Sequence, residues 1–132
     1  EGSMVKIILV SHGNMAQSLL ETASQIGSFD ISEIPAFSVS GKGDLESLPQ
    51  KMLNALGKNG TLILVDTLGG SSCNTAVQAT QHLKNVKVVC GVNLNMLLSA
   101  INNRGKMDLT DLTRKVLEDG KKSLIDISDK LK

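Results

Sequence analysis

Short apolar runs alternate with amphipathic stretches along most of the chain. Val5-Lys6-Ile7-Ile8-Leu9-Val10 is nearly continuous in apolar residues and rich in β-branched ones. That is the pattern of a strand buried on both faces. Residues 14–26 then place Met15, Leu19, Leu20, Ala23 and Ile26 at helical spacing, with Gly27 as the predicted stop. A weaker strand is predicted within residues 31–39. Asp44 is expected to cap a helix with Leu45, Leu48, Met52, Leu53 and Leu56 on its apolar face and Gly57 at its end. Thr61-Leu62-Ile63-Leu64-Val65 is a second buried-strand run. The Gly69-Gly70-Ser71-Ser72 turn follows it, and a helix is predicted over residues 73–83. Val86-Lys87-Val88-Val89-Cys90 is a fourth strand, stopped by Gly91, and residues 93–101 read as a short helix.

Four strand–helix units in succession require crossover connections, which are right-handed and build a parallel sheet. The predicted fold class is therefore α/β, a three-layer sandwich. Its sheet is mostly parallel and four-stranded in the order 2-1-3-4, with helices on both faces. The last 29 residues differ, holding just over half of the charged side chains. Leu109, Leu112, Val116 and Leu117 form one helical face, with Asp108 or Thr110 as cap and Gly120 as the expected end. Residues 123–127 (Ser-Leu-Ile-Asp-Ile) alternate loosely, as a short C-terminal edge strand would.

Composition narrows the functional classes. A chain of 132 residues with 41% hydrophobic content fits one domain with its own core. Residues 1–3, ahead of Met4, read as an expression remnant, leaving residues 4–132 as that domain. The net charge of +1 argues against a nucleic-acid binder, which needs a basic excess. The absence of Trp and Tyr removes the stacking platforms that bind single strands and sugars. No apolar run reaches the ~18 residues of a membrane span, and no signal peptide is expected. Cys73 and Cys90 form neither a CxxC nor a crowded framework, so two reduced thiols in the cytoplasm are expected.

In an open parallel sheet, sites form beyond the carboxyl ends of the strands, where strand order reverses. Ser11-His12-Gly13 follows strand one, Asp66 to Ser71 follows strand three, and Gly91-Val92-Asn93 follows strand four. The 2-1-3-4 order makes strands one and three neighbours and brings His12 near Asp66. A carboxylate on one ring nitrogen fixes an imidazole's tautomer and makes the other nitrogen more basic. By residue type alone, His12 could equally be a structural histidine in a turn, and Asp66 a turn cap. Gly69-Gly70-Ser71-Ser72 opening a helix can cradle an anion through backbone N–H and hydroxyl groups, but it is not a nucleotide-binding loop. His82, near the end of its helix, reads as a surface residue. A His12/His82 metal site lacks thiolates and an acidic cluster, so no metal or other cofactor is expected. A Ser-His-Asp hydrolase is disfavoured. There is no G-x-S-x-G elbow, and adjacent Ser11 and His12 side chains diverge.

Taken together, these motifs are specific. The strand ending in Ser11-His12-Gly13, then Val65-Asp66-Thr67-Leu68-Gly69-Gly70-Ser71 with Asn74, then Gly91-Val92-Asn93-Leu94 with Met96-Leu97, resembles one known family. It is the IIA domain of the mannose family of the bacterial phosphoenolpyruvate-dependent sugar phosphotransferase system. The resemblance runs over essentially the whole chain from Met4. It implies that His12 is the phosphorylated histidine, taking a phosphoryl group from HPr and passing it to a IIB domain or subunit. Asp66 matches the acidic residue that hydrogen-bonds the histidine. Thr67, Gly69, Gly70 and Ser71 match the turn lining the phosphoryl site. It further implies a cytoplasmic homodimer with a C-terminal strand exchanged between subunits, here residues 123–127. Membrane association would be indirect, through IIC and IID subunits.

Two departures from the family pattern stand out. Ser72 occupies a position where relatives usually carry Pro, which predicts a less rigid loop. No IIB domain follows Lys132 in this sequence, leaving a separate subunit or a shortened chain as the two readings. The alternatives from other classes are a regulatory or dihydroxyacetone-kinase-linked phosphoacceptor domain, and a non-enzymatic flavodoxin-like ligand-binding module. The fold class hosts many functions and does not choose between them.

Overall fold

The computed structural model describes residues 4–131; the presumed remnant at residues 1–3 lies outside the described residues. The elements run β1 (Lys6–His12), α1 (Met15–Gly27), β2 (Ala36–Val39), α2 (Lys42–Asn54), β3 (Thr61–Val65), α3 (Ser71–Thr80), β4 (Val86–Cys90), α4 (Leu94–Asn103) and α5 (Leu109–Lys122). All strands are parallel, in the order β2-β1-β3-β4. The expected sheet and its order are thus present.

Strand periodicity divides the core in two. Ile7, Leu9, Leu62 and Leu64 face a layer built from α1, α4 and α5, meeting Leu20, Leu97, Leu112 and Val116. Ile8, Val10, Ile63 and Val65 face the opposite layer, where Leu48 and Met52 of α2 and Ala76 of α3 pack. A strand sandwiched this way has no polar face, which is why β1 and β3 read as continuous apolar runs. Each fully buried Leu or Ile contributes roughly 1.5–3 kcal/mol relative to exposure, so the sheet is a rigid platform for the loops at its ends.

Several expectations need correction. The predicted C-terminal strand is not formed: after α5 the chain passes through residues 124–126 without regular structure into a short 3₁₀ turn, Ile127–Leu131. In the single chain this segment pairs with no described strand, and Leu124, Ile125 and Ile127 stay exposed. Gly120 does not end α5, which runs on to Lys122. A Cβ at Gly120 would lie 2.5 Å from Met96 Cγ, so this glycine serves the close approach of α5 to α4. Asp44 is not the N-cap of α2. Gly41 holds that position, and the Asp44 carboxylate reaches back to accept from the Ser40 N–H at 2.9 Å. The helix after β3 starts at Ser71 rather than 73 and ends at Thr80, leaving His82 in the exposed turn beyond it.

Cys73 and Cys90 are not two separate thiols; a disulfide joins them, with Cα atoms 6.8 Å apart. Cys73 sits in the first turn of α3 and faces the sheet, while Cys90 is the last residue of β4. Their spacing of 17 positions in sequence hides a juxtaposition that only the β3–α3–β4 crossover creates.

Candidate functional site

The parallel register sets the site. Val10 of β1 lies opposite Val65 of β3, so Ser11-His12 and Asp66 emerge together at the carboxyl edge of the sheet. The Asp66 N–H still donates to the Val10 carbonyl at 3.2 Å, and the Gly13 N–H to the Val39 carbonyl at 3.3 Å. Gly13 then takes a φ of +57°, in the left-handed region that glycine tolerates, and lets the chain turn into α1. Ser11 and His12 diverge as expected. Ser11 is buried, and its hydroxyl accepts from the Ala16 N–H at 2.8 Å, capping α1 in place of Asn14. His12 points outward, its side chain 47% exposed.

Asp66 organises what surrounds it. One carboxylate oxygen, Oδ2, accepts from the His12 backbone N–H at 2.8 Å and stands 2.8 Å from His12 Nδ1. The other, Oδ1, accepts from the Thr67 N–H at 2.9 Å and from the Ser72 hydroxyl at 3.1 Å. Its partial burial opposes ionisation. The bonds from the His12 backbone, the His12 ring and the Ser72 hydroxyl, with the field of His12, outweigh that burial and hold the carboxyl below its ordinary value of 3.8. An ionised carboxylate only accepts, so Nδ1 of His12 carries the proton and Nε2 presents its lone pair.

The turn after β3 supports the ring. A Cβ on Gly70 would stand 3.2 Å from His12 Cε1 and 3.0 Å from Thr67 Cγ2, so only glycine lets the imidazole lie this close to the N-cap of α3. Gly69 supplies the turn with a φ of +79°. Ser71, the first residue of α3, lines an open cleft of about 350 Å³ together with His12, Val39, Ser40, Lys42 and Leu45. The first-turn N–H groups of α3 have no intrahelical partners, and the helix dipole adds partial positive charge there. Beside an imidazole lone pair, this arrangement suits a phosphoryl-sized anion.

His12, Asp66, Thr67, Gly70 and Ser71 are therefore brought together, with Gly69 shaping their turn. The third strand-end motif is not part of the cleft. The Gly91 and Val92 N–H groups both donate to the Val65 carbonyl, and Asn93 caps α4 by accepting from the Met96 N–H. That segment braces the end of β3 from behind. Sequence reasoning missed Lys42 and the role of Ser72. His12 is the last residue of β1 and Lys42 comes three residues after β2, and the same strand-end rule applied to the weak second strand finds it. In the sequence Ser72 reads as part of an anion-cradling turn and as a departure from the usual Pro, whereas its buried hydroxyl ties the turn to Asp66. Among the described residues, no group of three His, Cys, Asp or Glu side chains could hold a metal ion. No helix among them is long and apolar enough to cross a membrane.

Known proteins carry the same arrangement of elements. The family model described as the PTS system fructose IIA component, EIIA-man, matches residues 6–117. The sorbose-specific EIIA component of the phosphotransferase system of Klebsiella pneumoniae is 24% identical over 110 residues, covering 83% of this chain and 82% of that one. The mannose-specific EIIAB component of Escherichia coli K12 is 32% identical over 111 residues, covering 76% of this chain; the match spans about a third (32%) of that relative's length. Among solved structures, a phosphotransferase system EIIA component from Streptococcus agalactiae superimposes with a TM-score of 0.85 at 25% identity, covering 96% of this chain and 99% of its own. The mannose/sorbose-specific IIA subunit from Enterococcus faecalis does so with a TM-score of 0.79 at 27% identity, covering 92% and 93%. With the family model matched from β1 to within α5, this chain belongs to the mannose-type EIIA family of the sugar phosphotransferase system.

Proposed function

We propose that this chain is a histidine phosphoryl carrier: His12 accepts a phosphoryl group from phospho-HPr and passes it to a IIB domain or subunit during sugar uptake. The observation that carries this reading is the Asp66 Oδ2–His12 Nδ1 contact of 2.8 Å, which leaves Nε2 as the free nucleophile. In the transfer, the Nε2 lone pair forms the new P–N bond while the bond from phosphorus to the donor breaks, its electron pair leaving with the donor. The Nδ1 proton stays in place. Asp66 offsets the positive charge that develops on the ring. Thr67, Gly69, Gly70 and Ser71 form the turn around the phosphoryl oxygens. Transfer to IIB is the same step in reverse on a new acceptor. Phosphoryl transfer asks mostly for in-line positioning and charge stabilisation, and the N-terminus of α3 beside His12 supports the second.

The proposal puts the protein in the cytoplasm as a homodimer, reaching the membrane only through IIC and IID subunits. Leu45 and Lys42 line the cleft with His12, and Leu68 is 84% exposed in the β3–α3 turn, so apolar and charged side chains are both on offer for docking either partner in turn. Mixing the protein with phosphoenolpyruvate, enzyme I and HPr and measuring intact mass tests the reading. Wild type is expected to gain one acid-labile phosphoryl group, and folded His12→Ala none. An adduct of equal yield on His12→Ala, or none on wild type with active HPr, overturns it. A regulatory phosphoacceptor would gain the same adduct, and failure to discharge it to any IIB would favour that role.

A further inference from the structure

Four donors satisfy the Asp66 carboxylate, and they differ in what they can do for it. Two belong to His12, the residue to be positioned. A third, the Thr67 N–H, belongs to the next residue in the chain and moves with Asp66. Among the described residues, the Ser72 hydroxyl is what ties the carboxylate to the first turn of α3. Ser72 is fully buried, so no water competes with that bond. An ionised carboxylate cannot donate, so the hydroxyl proton points at Oδ1 and the direction of the bond is settled by chemistry. Ser71, one residue earlier, is exposed to the cleft instead; a helical step of ~100° turns adjacent side chains to different tasks.

We propose that Ser72 is a positioning residue for His12, acting through Asp66: its hydroxyl anchors Oδ1 to α3 and so fixes where Oδ2 meets the imidazole. The inference rests on the carrier reading above for its kinetic consequence, but not for its electrostatic one. A donor on Oδ1 draws charge from the carboxylate and weakens its hold on the Nδ1 proton. Without it, Asp66 is more basic and stabilises the imidazolium more strongly. The charged groups around the ring are Asp66 from the β3 end and, lining the same cleft, Lys42 from the first turn of α2; of the two, Asp66 is the one that Ser72 touches.

The experiment compares wild type, Ser72→Ala, Asp66→Asn and the double variant. In Ser72→Ala, the initial rate of phosphoryl acceptance from phospho-HPr should fall about 3- to 10-fold, the scale of one lost hydrogen bond. The NMR titration curve of the His12 ring in the unphosphorylated protein should differ from that of wild type. In the Asp66→Asn background, which removes the carboxylate charge on which the Ser72 hydroxyl acts, the effect of Ser72→Ala on both quantities should shrink. Equal rates and titration curves for wild type and Ser72→Ala overturn the proposal, as does an undiminished Ser72→Ala effect in the Asp66→Asn background. Ser72→Gly removes the same hydroxyl and carries the test if the alanine variant does not fold. Failure of the wild type to accept phosphate at all would sink the carrier reading. The titration would still decide whether Ser72 acts on His12.

Discussion

Asp66 gathers burial and four hydrogen bonds on one side chain, and their balance sets its response to acid. Burial favours the neutral form, and the donors from His12 and Ser72 favour the charged form more strongly, so the carboxyl lies below 3.8. A carboxylate depressed in this way stabilises the fold fully above its unfolded value, near pH 4. The contribution is lost as pH falls through the folded value. Wild type should therefore be more stable than Asp66→Asn at pH 7, and the gap should narrow below about pH 4. Chemical denaturation at both pH values checks this; a gap constant down to pH 2 would contradict it. His12 and Asp66 were legible because each directly follows a strongly apolar strand whose end is sharp. Lys42 was not, because β2 contributes only Ala36–Val39 and a half-buried strand blurs its own boundary. Ser72 was not, because a hydroxyl's partner six residues away is set by the turn's backbone and not by local pattern.

At the scale of elements, reading failed where tertiary contact overrode local preference. Gly120 looked like a helix stop because glycine favours C-terminal caps. In the fold it lies inside α5 against Met96, where space and not backbone freedom demands it. Alanine there gains about 1 kcal/mol in helix propensity but drives a methyl into the Met96 stem. Overpacking of this kind costs about 1–3 kcal/mol, so a net loss of about 1 kcal/mol is expected for Gly120→Ala. Trimming the neighbour in Gly120→Ala/Met96→Ala should remove the clash, and a double-mutant cycle of denaturation midpoints reads the coupling. The disulfide between α3 and β4 makes a second prediction. It closes a loop of 17 residues beside the site, a constraint worth about 3 kcal/mol. Reduction should lower the thermal midpoint by on the order of 10 °C, and a free-thiol assay before and after reports the bridge directly.

For the whole molecule, the layered α/β plan was legible because each strand of the buried pair β1 and β3 feeds both cores, and the chain has no other way to cover them. What lay beyond α5 was not legible in the same way. Leu124, Ile125 and Ile127 alternate loosely as a strand would, but in the single chain they pair with no described strand, and all three are exposed. Beside them, β4 pairs with β3 on one side, and among the described residues no strand pairs with its other edge, next to a small cavity of about 190 Å³ that Cys90, Met96, Leu117 and Leu124 line. An open edge and a nearby apolar segment are a liability in a monomer. Exchange of that segment between two copies would satisfy both at once. Burying each of the three side chains gains roughly 1.5–3 kcal/mol per copy, enough to offset the ordering of a few residues. The expected outcome is a homodimer whose thermal midpoint rises with protein concentration, since dissociation and unfolding are then linked. Replacing Leu124, Ile125 and Ile127 together by Ser should give a folded monomer by light scattering, with a midpoint independent of concentration. A wild-type protein that is already monomeric at tens of micromolar would show that the open edge of β4 serves something other than a second copy.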